Sequence, residues 1–255
     1  MLCHGNSCSS GSFERQLTGD LARRHRVIAI DWPGHGDSGR ATVPANAYTL
    51  PGYARVLVEV ARQLDASDAV FVGASLGGHV VLEAALELPD ALGFFVFGTP
   101  PLESASSLPR ALSSDPALQA AFREESTDPE VRACLASFFR SGFELPESFV
   151  RDFYRTDMRA RSAIAASVAR NELRDEVRVV AKLGSRVAIV HGRYDTVVNR
   201  AYLDALPMPD VWGEGLQVLP DAGHTPQWET PEQFGELVEA FARSRASSGR
   251  AHRSD

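Results

Sequence analysis

The stretch that decides the fold is Val72-Gly73-Ala74-Ser75-Leu76-Gly77-Gly78, which places a serine between two glycines in a G-x-S-x-G motif. An apolar run at 69–72 leads into the motif, and residues 79–88 have the composition of a helix. This order predicts a strand that turns sharply into a helix and leaves the Ser75 hydroxyl exposed, because the glycines let strand and helix approach closely. Unrelated glycine-rich turns contain the same motif, so its meaning depends on what accompanies it along the chain.

Composition and charge exclude several classes of partner. The chain has 255 residues, of which 44% are apolar and 23% charged, as is typical of a globular protein with one sizeable core. A net charge of −7 argues against nucleic acid and anionic membranes, which attract clusters of Lys and Arg. No apolar run approaches the roughly 20 residues that a membrane-spanning helix needs. We therefore expect a protein that binds neither nucleic acid nor membranes.

The spacing of cysteine and histidine predicts a protein without a metal or other cofactor. Cys3, Cys8 and Cys134 form no C-x-x-C pair, and their odd number suits a reducing compartment. No cluster of His, Asp and Glu has the spacing of metal ligands. We expect a cytoplasmic protein, and nothing in the sequence specifies an oligomeric state.

Short apolar runs alternate with longer helical patterns along most of the chain. The runs lie at 27–30, 69–72, 94–97, 187–190 and 216–219. Their alternation with helices predicts an α/β fold, in which a mostly parallel sheet is covered by helices on both faces. Residues 102–182 are helix-prone and contain no convincing strand, so we expect a helical cap over the carboxyl edge of the sheet. The core would then comprise 1–101 and 183–243, and the polar segment 244–255 would be a disordered tail.

The predicted cap contains an aromatic-rich patch. Its members are Phe138, Phe139, Phe143, Phe149, Phe153 and Tyr154. One interpretation is that the patch buries the cap against the main domain. The other is that it lines an apolar substrate pocket, and for that role the candidates are Phe138, Phe139, Phe143, Phe153 and Tyr154.

Two loops carry the partners that a nucleophilic serine requires, which are a histidine as base and a carboxylate that orients it. One predicted strand ends shortly before Asp195, and the next ends before the Gly- and Pro-bounded loop that holds His224. Both loops should emerge at the same edge of the sheet as Ser75. The sequence therefore predicts a catalytic triad of Ser75, Asp195 and His224, in the chain order Ser…Asp…His.

Other acids and histidines are alternatives for these roles. Asp157 and Asp221 are alternative acids, although Asp221 is too close to His224 in sequence to reach around its imidazole easily. The histidines interpreted as structural are His4, His35, His79 and His191.

An oxyanion hole needs two backbone N–H groups that point at the developing negative charge. Leu76 follows the nucleophile at the start of the predicted helix, where the helix dipole favours negative charge. The second N–H should come from the loop His4-Gly5-Asn6-Ser7, in which Asn6 is the best donor by position. Asn6 and Leu76 are therefore the predicted oxyanion-hole residues.

Together, these motifs resemble the α/β-hydrolase superfamily from His4-Gly5 to Phe241. The matching pieces are H-G at 4–5, D-W-P-G-H-G-D-S at 31–38, G-A-S-L-G-G at 73–78, G-R-Y-D at 192–195 and D-A-G-H at 221–224. The resemblance implies an α/β-hydrolase fold with a helical cap and serine-dependent hydrolysis without a cofactor. It also implies that the strands which normally precede His4-Gly5 in this fold are missing from the N-terminal part of the core.

A second set of motifs narrows the resemblance to the metal-independent N-acylhomoserine lactonases of this fold. These motifs are His4-Gly5-Asn6-Ser7, Leu76-Gly77-Gly78-His79, Gly98-Thr99-Pro100-Pro101, Arg155-Thr156-Asp157 and Arg159-Ala160-Arg161. The resemblance implies a small-molecule ester or lactone as substrate, with lactones of acylated homoserine as the sharpest expectation. Leu76 and Asp195 depart from that family, which favours an aromatic residue and a glutamate at these positions.

Other activities of the same fold stay open. A general short-chain carboxylesterase is the main alternative, and carbon–carbon bond hydrolases and cofactor-free peroxidases also keep the serine. Dehalogenases and epoxide hydrolases are disfavoured because they need a carboxylate nucleophile where this chain has Ser75. A ligand receptor of this fold has no need for three intact catalytic groups.

Overall fold

The computed structural model describes residues 1–208 and 210–251, and the side chains of residues 1–208 and 210–247. Within these residues, a single parallel sheet has the strand order β2-β1-β3-β4-β5-β6. The strands are β1 (Leu2–Cys3), β2 (Ala29–Ile30), β3 (Val70–Ala74), β4 (Gly93–Phe97), β5 (Val187–Gly192) and β6 (Gln217–Leu219). The predicted parallel sheet is confirmed, although the first and last runs form shorter strands than their apolar residues suggested.

Helices connect the strands and cover the sheet. They are α1 (Glu14–Thr18), α2 (Asp20–Arg24), α3 (Pro44–Ala47), α4 (Leu50–Gln63), α5 (Leu76–Ala84), α6 (Leu108–Ala111), α7 (Asp128–Ala136), α8 (Glu147–Arg155), α9 (Met158–Ala169), α10 (Glu176–Leu183), α11 (Arg200–Ala205), α12 (Pro226–Glu229) and α13 (Pro231–Ala251). Short 3₁₀ turns occur at Ser10–Phe13, Ala85–Glu87, Ala105–Ser107, Pro116–Phe122, Gly184–Arg186 and Trp212–Glu214.

The sequence of the central strand β4 is continuously apolar because both faces of the strand are buried. Successive side chains of a strand point to opposite faces. Phe94 and Val96 belong to the apolar cluster that includes α4 and α5. Phe95 and Phe97 belong to the cluster on the other face, where their rings lie 5.7 Å and 4.9 Å from that of Phe234 in α13. Both faces are therefore covered, as expected of a parallel sheet.

The insertion between β4 and β5 is helical. Residues 98–186 are all described and contain helices α6 to α10 but no strand. Ile164 of α9 and Val180 of α10 belong to the same apolar cluster as α4 and α5. The last part of the insertion is thus continuous with the main core.

The C-terminal segment differs from the predicted disordered tail. Helix α13 continues to Ala251, so residues 244–251 are helical, while 252–255 lie outside the described residues. The hydroxyl of Ser244 donates to the carbonyl of Phe241, and that of Ser247 to Arg243, at 2.7 and 3.0 Å. The buried Phe241 anchors the turn from which the helix continues to Ala251. Among the described helices, none is both long and apolar enough to cross a membrane.

Candidate active site

The turn between β3 and α5 holds Ser75 in a strained conformation. Its φ of 49° and ψ of −117° are unusual for a residue with a side chain. The Ser75 amide donates to the carbonyl of Phe97 at 2.9 Å, and its carbonyl accepts the amide of Gly78 at 2.9 Å and the hydroxyl of Thr99 at 2.9 Å. These hydrogen bonds tie the turn to β4 and stabilise a geometry that the serine would not adopt alone.

Gly77 is required because α5 passes directly over β1. A Cβ atom at this position would lie 2.2 Å from the carbonyl oxygen of Cys3 and 2.6 Å from that of His4. Both obstacles are backbone atoms of the strand and loop next to the nucleophile, so neither can rotate away. The glycine therefore fixes how closely the helix that starts at Leu76 approaches the sheet.

We expect Gly77→Ala to lower the free energy of unfolding by about 3 kcal/mol, because the added methyl group would force the backbone of β1 and the loop after it to move. Urea denaturation followed by circular dichroism measures this. Gly235→Ala in α13 is the matched control, because its Cβ would meet no atom within 4 Å. The control should be neutral or more stable by up to about 1 kcal/mol. Equal stability of the Gly77→Ala protein and the wild type would contradict the close approach of α5 to β1.

Asp195 and His224 form a buried pair at the carboxyl ends of β5 and β6. His224 Nδ1 lies 2.9 Å from Asp195 Oδ2, and the two side chains are 4% and 0% exposed. The other carboxylate oxygen accepts the amides of Val197 at 2.8 Å and Val198 at 3.1 Å. Burial raises the pKa of Asp195, but its hydrogen bonds and the neighbouring imidazoles outweigh burial and leave that pKa below its usual value. An ionised Asp195 thus accepts a hydrogen bond from the Nδ1–H group of His224, and when the ring carries this one proton Nε2 is an acceptor.

The alternative acids lie elsewhere. Asp157 accepts the hydroxyl of Tyr48 at 2.9 Å and pairs with the guanidinium of Arg159, which lowers the pKa of Asp157 to about 2. Asp221 is exposed at the start of the loop that holds His224. Of the three candidates, Asp195 is the one that contacts His224.

The loop of His224 is held in place by Glu229 and by the insertion. The His224 amide donates to the carbonyl of Phe138 at 2.9 Å. Glu229 accepts the amides of Gly223 at 2.8 Å and of Arg140 at 2.7 Å, so its carboxylate joins this loop to the turn after α7. Gly98 makes room for the imidazole, because a Cβ there would lie 2.7 Å from His224 Cε1. Neither Glu229 nor this function of Gly98 could be predicted from sequence spacing.

The predicted oxyanion-hole residues flank Ser75. Leu76 is the first residue of α5, and Asn6 lies in the loop after β1. Within residues 1–208 and 210–247, neither backbone amide donates to another protein group. The Asn6 side chain is engaged instead, since its Nδ2 donates to the carbonyl of Ala121 at 2.6 Å and its Oδ1 accepts the hydroxyl of Ser7 at 3.3 Å. Asn6 and Leu76 also line the same cavity as Ser75.

A cavity of about 340 Å³ opens at this point. Ser75, His224, Asn6 and Leu76 are among the residues that line it. The remaining lining is largely apolar and comes mainly from the insertion, including Leu102, Leu108, Leu118, Phe138, Ile164 and Val168. The site thus combines a few polar groups with an apolar wall, which is typical of small-molecule pockets.

Of the aromatic residues predicted to contact substrate, Phe138 lines the cavity and the others do not. The ring of Phe139 stacks on that of Phe143 at 5.3 Å within an apolar cluster of the insertion. Phe153 lies under the guanidinium of Arg161, 4.2 Å from its ring centre. Tyr154 is half exposed and its hydroxyl donates to Asp128 at 2.9 Å. These four residues thus lie outside the cavity lining, Phe139 and Phe143 in the segment after α7 and Phe153 and Tyr154 on α8.

His79, interpreted as structural from sequence, also lines the cavity. It follows Ser75 by one helical turn, and its Nδ1 lies 2.9 Å from Oε1 of the buried Glu176. The four-residue spacing from Ser75 was the available signal, whereas its acidic partner comes from the start of α10.

The sheet, the turn and the site define the class of protein. The model of the α/β hydrolase family matches residues 1–237. The chain therefore belongs to the α/β-hydrolase family and is a hydrolase.

Within this family, the chain is similar to N-acyl homoserine lactonase AidH. The crystal structure of AidH complexed with N-butanoyl homoserine is 32% identical, with a TM-score of 0.89, and the match covers 96% of this chain and 88% of AidH. A probable esterase of Oryza sativa subsp. japonica is 28% identical over 244 residues, which are 91% of this chain and 86% of that protein. The 2-hydroxy-6-oxo-6-(2'-aminophenyl)hexa-2,4-dienoic acid hydrolase of Metapseudomonas resinovorans is 27% identical over 265 residues, 98% of this chain and 86% of that protein.

Proposed function

We propose that this protein is a serine hydrolase of carboxylic esters and lactones, and that N-acyl homoserine lactones are its substrates. The observation that carries the proposal is the buried pair of His224 and Asp195, 2.9 Å apart, in which His224 lines the same cavity as Ser75. The similarity to AidH supports a lactone as the substrate, since AidH structures hold N-butanoyl homoserine and N-hexanoyl homoserine lactone.

In the proposed acylation step, the Ser75 hydroxyl attacks the lactone carbonyl while His224 Nε2 takes its proton. Asp195 keeps the proton on Nδ1 and offsets the charge of the imidazolium that forms. The amides of Asn6 and Leu76 donate to the developing oxyanion, and each such donor is worth about 3 kcal/mol in related sites. When the intermediate collapses, the ring C–O bond breaks and the leaving alkoxide receives the proton from His224.

In the proposed deacylation step, a water molecule attacks the ester of Ser75 and His224 accepts its proton. Collapse of the second intermediate returns that proton to the Ser75 oxygen and releases the ring-opened N-acyl homoserine. The apolar wall formed by residues such as Leu108, Leu118 and Ile164 would hold the acyl chain. On this account, residues 102–182 act as the cap of the site, and no cofactor takes part.

The experiment that tests the proposal compares ring opening of N-acyl homoserine lactones of several chain lengths with hydrolysis of p-nitrophenyl esters. We expect kcat/KM for at least one lactone to lie within about 10⁴–10⁸ M⁻¹s⁻¹. Fast cleavage of p-nitrophenyl esters without measurable ring opening would contradict the proposal that lactones are substrates, and would favour a general carboxylesterase.

A further inference from the structure

His79 presents a polar group to the cavity that the proposed triad does not use. It belongs to α5, four residues beyond Ser75. The His79 amide donates to the carbonyl of Ser75 at 3.2 Å, and both residues line the same cavity. A substrate bound at Ser75 therefore occupies the cavity that this imidazole also lines.

Glu176 determines which nitrogen of His79 carries a proton. Nδ1 of His79 lies 2.9 Å from Oε1 and 3.0 Å from Oε2 of Glu176. The Glu176 side chain is fully buried and also accepts the amide of Leu102 at 2.8 Å. Because the carboxylate only accepts hydrogen bonds, Nδ1 must donate, and when the ring carries this one proton Nε2 is an acceptor.

The acceptor is available to a bound molecule. Within residues 1–208 and 210–247, Nε2 of His79 has no protein partner, and it is absent from the side-chain atoms that are buried without one. The side chain keeps 15% of its surface exposed, and the residue lines the cavity. An unpaired acceptor here would be satisfied by an N–H group of the substrate.

We infer that Nε2 of His79 accepts a hydrogen bond from an N–H group on the carbon next to the scissile carbonyl. The inference rests on the proposed function, because it takes attack of Ser75 on an ester or lactone carbonyl as given. Substrates with an acylated amine at this position satisfy the acceptor, whereas plain esters and lactones leave it unpaired. His79 is therefore a specificity-determining residue for α-acylamino esters and lactones, and Glu176 is its positioning residue.

A matched pair of substrates tests the inference. One is N-hexanoyl homoserine lactone, and the other is the analogue in which CH₂ replaces the amide N–H. Each kcat/KM for ring opening is divided by the rate of alkaline hydrolysis of the same compound, which removes the difference in intrinsic reactivity. We expect the wild type to prefer the N–H substrate and His79→Leu to reduce this preference by about five- to tenfold.

Two further variants separate hydrogen bonding from a merely structural role. His79→Gln keeps one donor and one acceptor on a planar group and should restore part of the preference. In Glu176→Gln, the new amide can donate to Nδ1, which would move the ring proton to Nε2. This variant should therefore lose the preference for the N–H substrate or favour the CH₂ analogue. His25→Leu, which replaces an exposed histidine outside the cavity, is the matched control and should leave the ratio unchanged.

Equal normalised rates of the wild type on the two compounds would overturn the inference without any variant, and would leave the proposed function intact. A preference that is the same in wild type, His79→Leu and Glu176→Gln would also overturn it. Failure of the wild type to open either lactone would instead contradict the proposed function.

Discussion

Ser75→Ala is expected to lower kcat/KM for N-hexanoyl homoserine lactone by between about 10⁴- and 10⁶-fold, which is the loss typical of an enzyme without its nucleophile. The oxyanion-hole amides and the cavity would remain, so binding should survive while acylation stops. The rate of ring opening is measured by titration of the acid that the reaction releases. Circular dichroism verifies that the variant is folded.

Ser12→Ala is the matched control for this loss. Ser12 also lines the cavity, but its hydroxyl donates to the carbonyl of Ser9 at 2.8 Å. We expect its kcat/KM to stay within a factor of about 10 of the wild type, because one structural hydrogen bond contributes about 1 kcal/mol. Comparable losses in the two variants would show that disturbance of the cavity, and not loss of the nucleophile, lowers the rate.

Asp195→Asn is expected to lower kcat by about 10⁴-fold with a smaller effect on KM. The amide can donate to Nδ1 of His224, which would place the ring proton on Nε2 and leave no acceptor for the Ser75 proton. The hydrogen bonds from Val197 and Val198 can persist, so the fold of the loop should be kept.

Asp221→Asn makes the same chemical change at the exposed alternative acid, three residues before His224. Steady-state kinetics should show a change of less than about twofold, since exposed charges interact weakly with a buried site. A large loss in Asp221→Asn together with a small loss in Asp195→Asn would reverse the assignment of the acid.

The sheet and the three candidate catalytic residues could be predicted from sequence because local signals encode them. A strand buried on both faces has a continuously apolar sequence, as residues Phe94 to Phe97 do. The turn at Ser75 is marked in the sequence by the glycines on either side of it. Asp195 and His224 each follow a strand of a parallel sheet, and topology alone brings such positions to one edge. Their separation of 2.9 Å needed the structure.

The wall of the site and the partner of His79 could not be predicted, because they depend on long-range packing. Glu176 lies 97 residues from His79 along the chain, and no local pattern links the two. On α8, Phe149 lines the cavity whereas Phe153 lies under Arg161, although both are apolar residues of the same helix. The C-terminal helix is a similar case, since Phe241 anchors a segment whose composition suggested disorder.

One measurement tests the central claim most directly, namely labelling of the protein with a fluorophosphonate followed by peptide mapping, with and without N-hexanoyl homoserine lactone in excess. A phosphonate attaches to a serine only when a neighbouring base activates it. The account predicts a single labelled residue, Ser75, slower labelling while the lactone is being turned over, and loss of labelling in Asp195→Asn. An unlabelled protein, or a label on a serine other than Ser75, would contradict it.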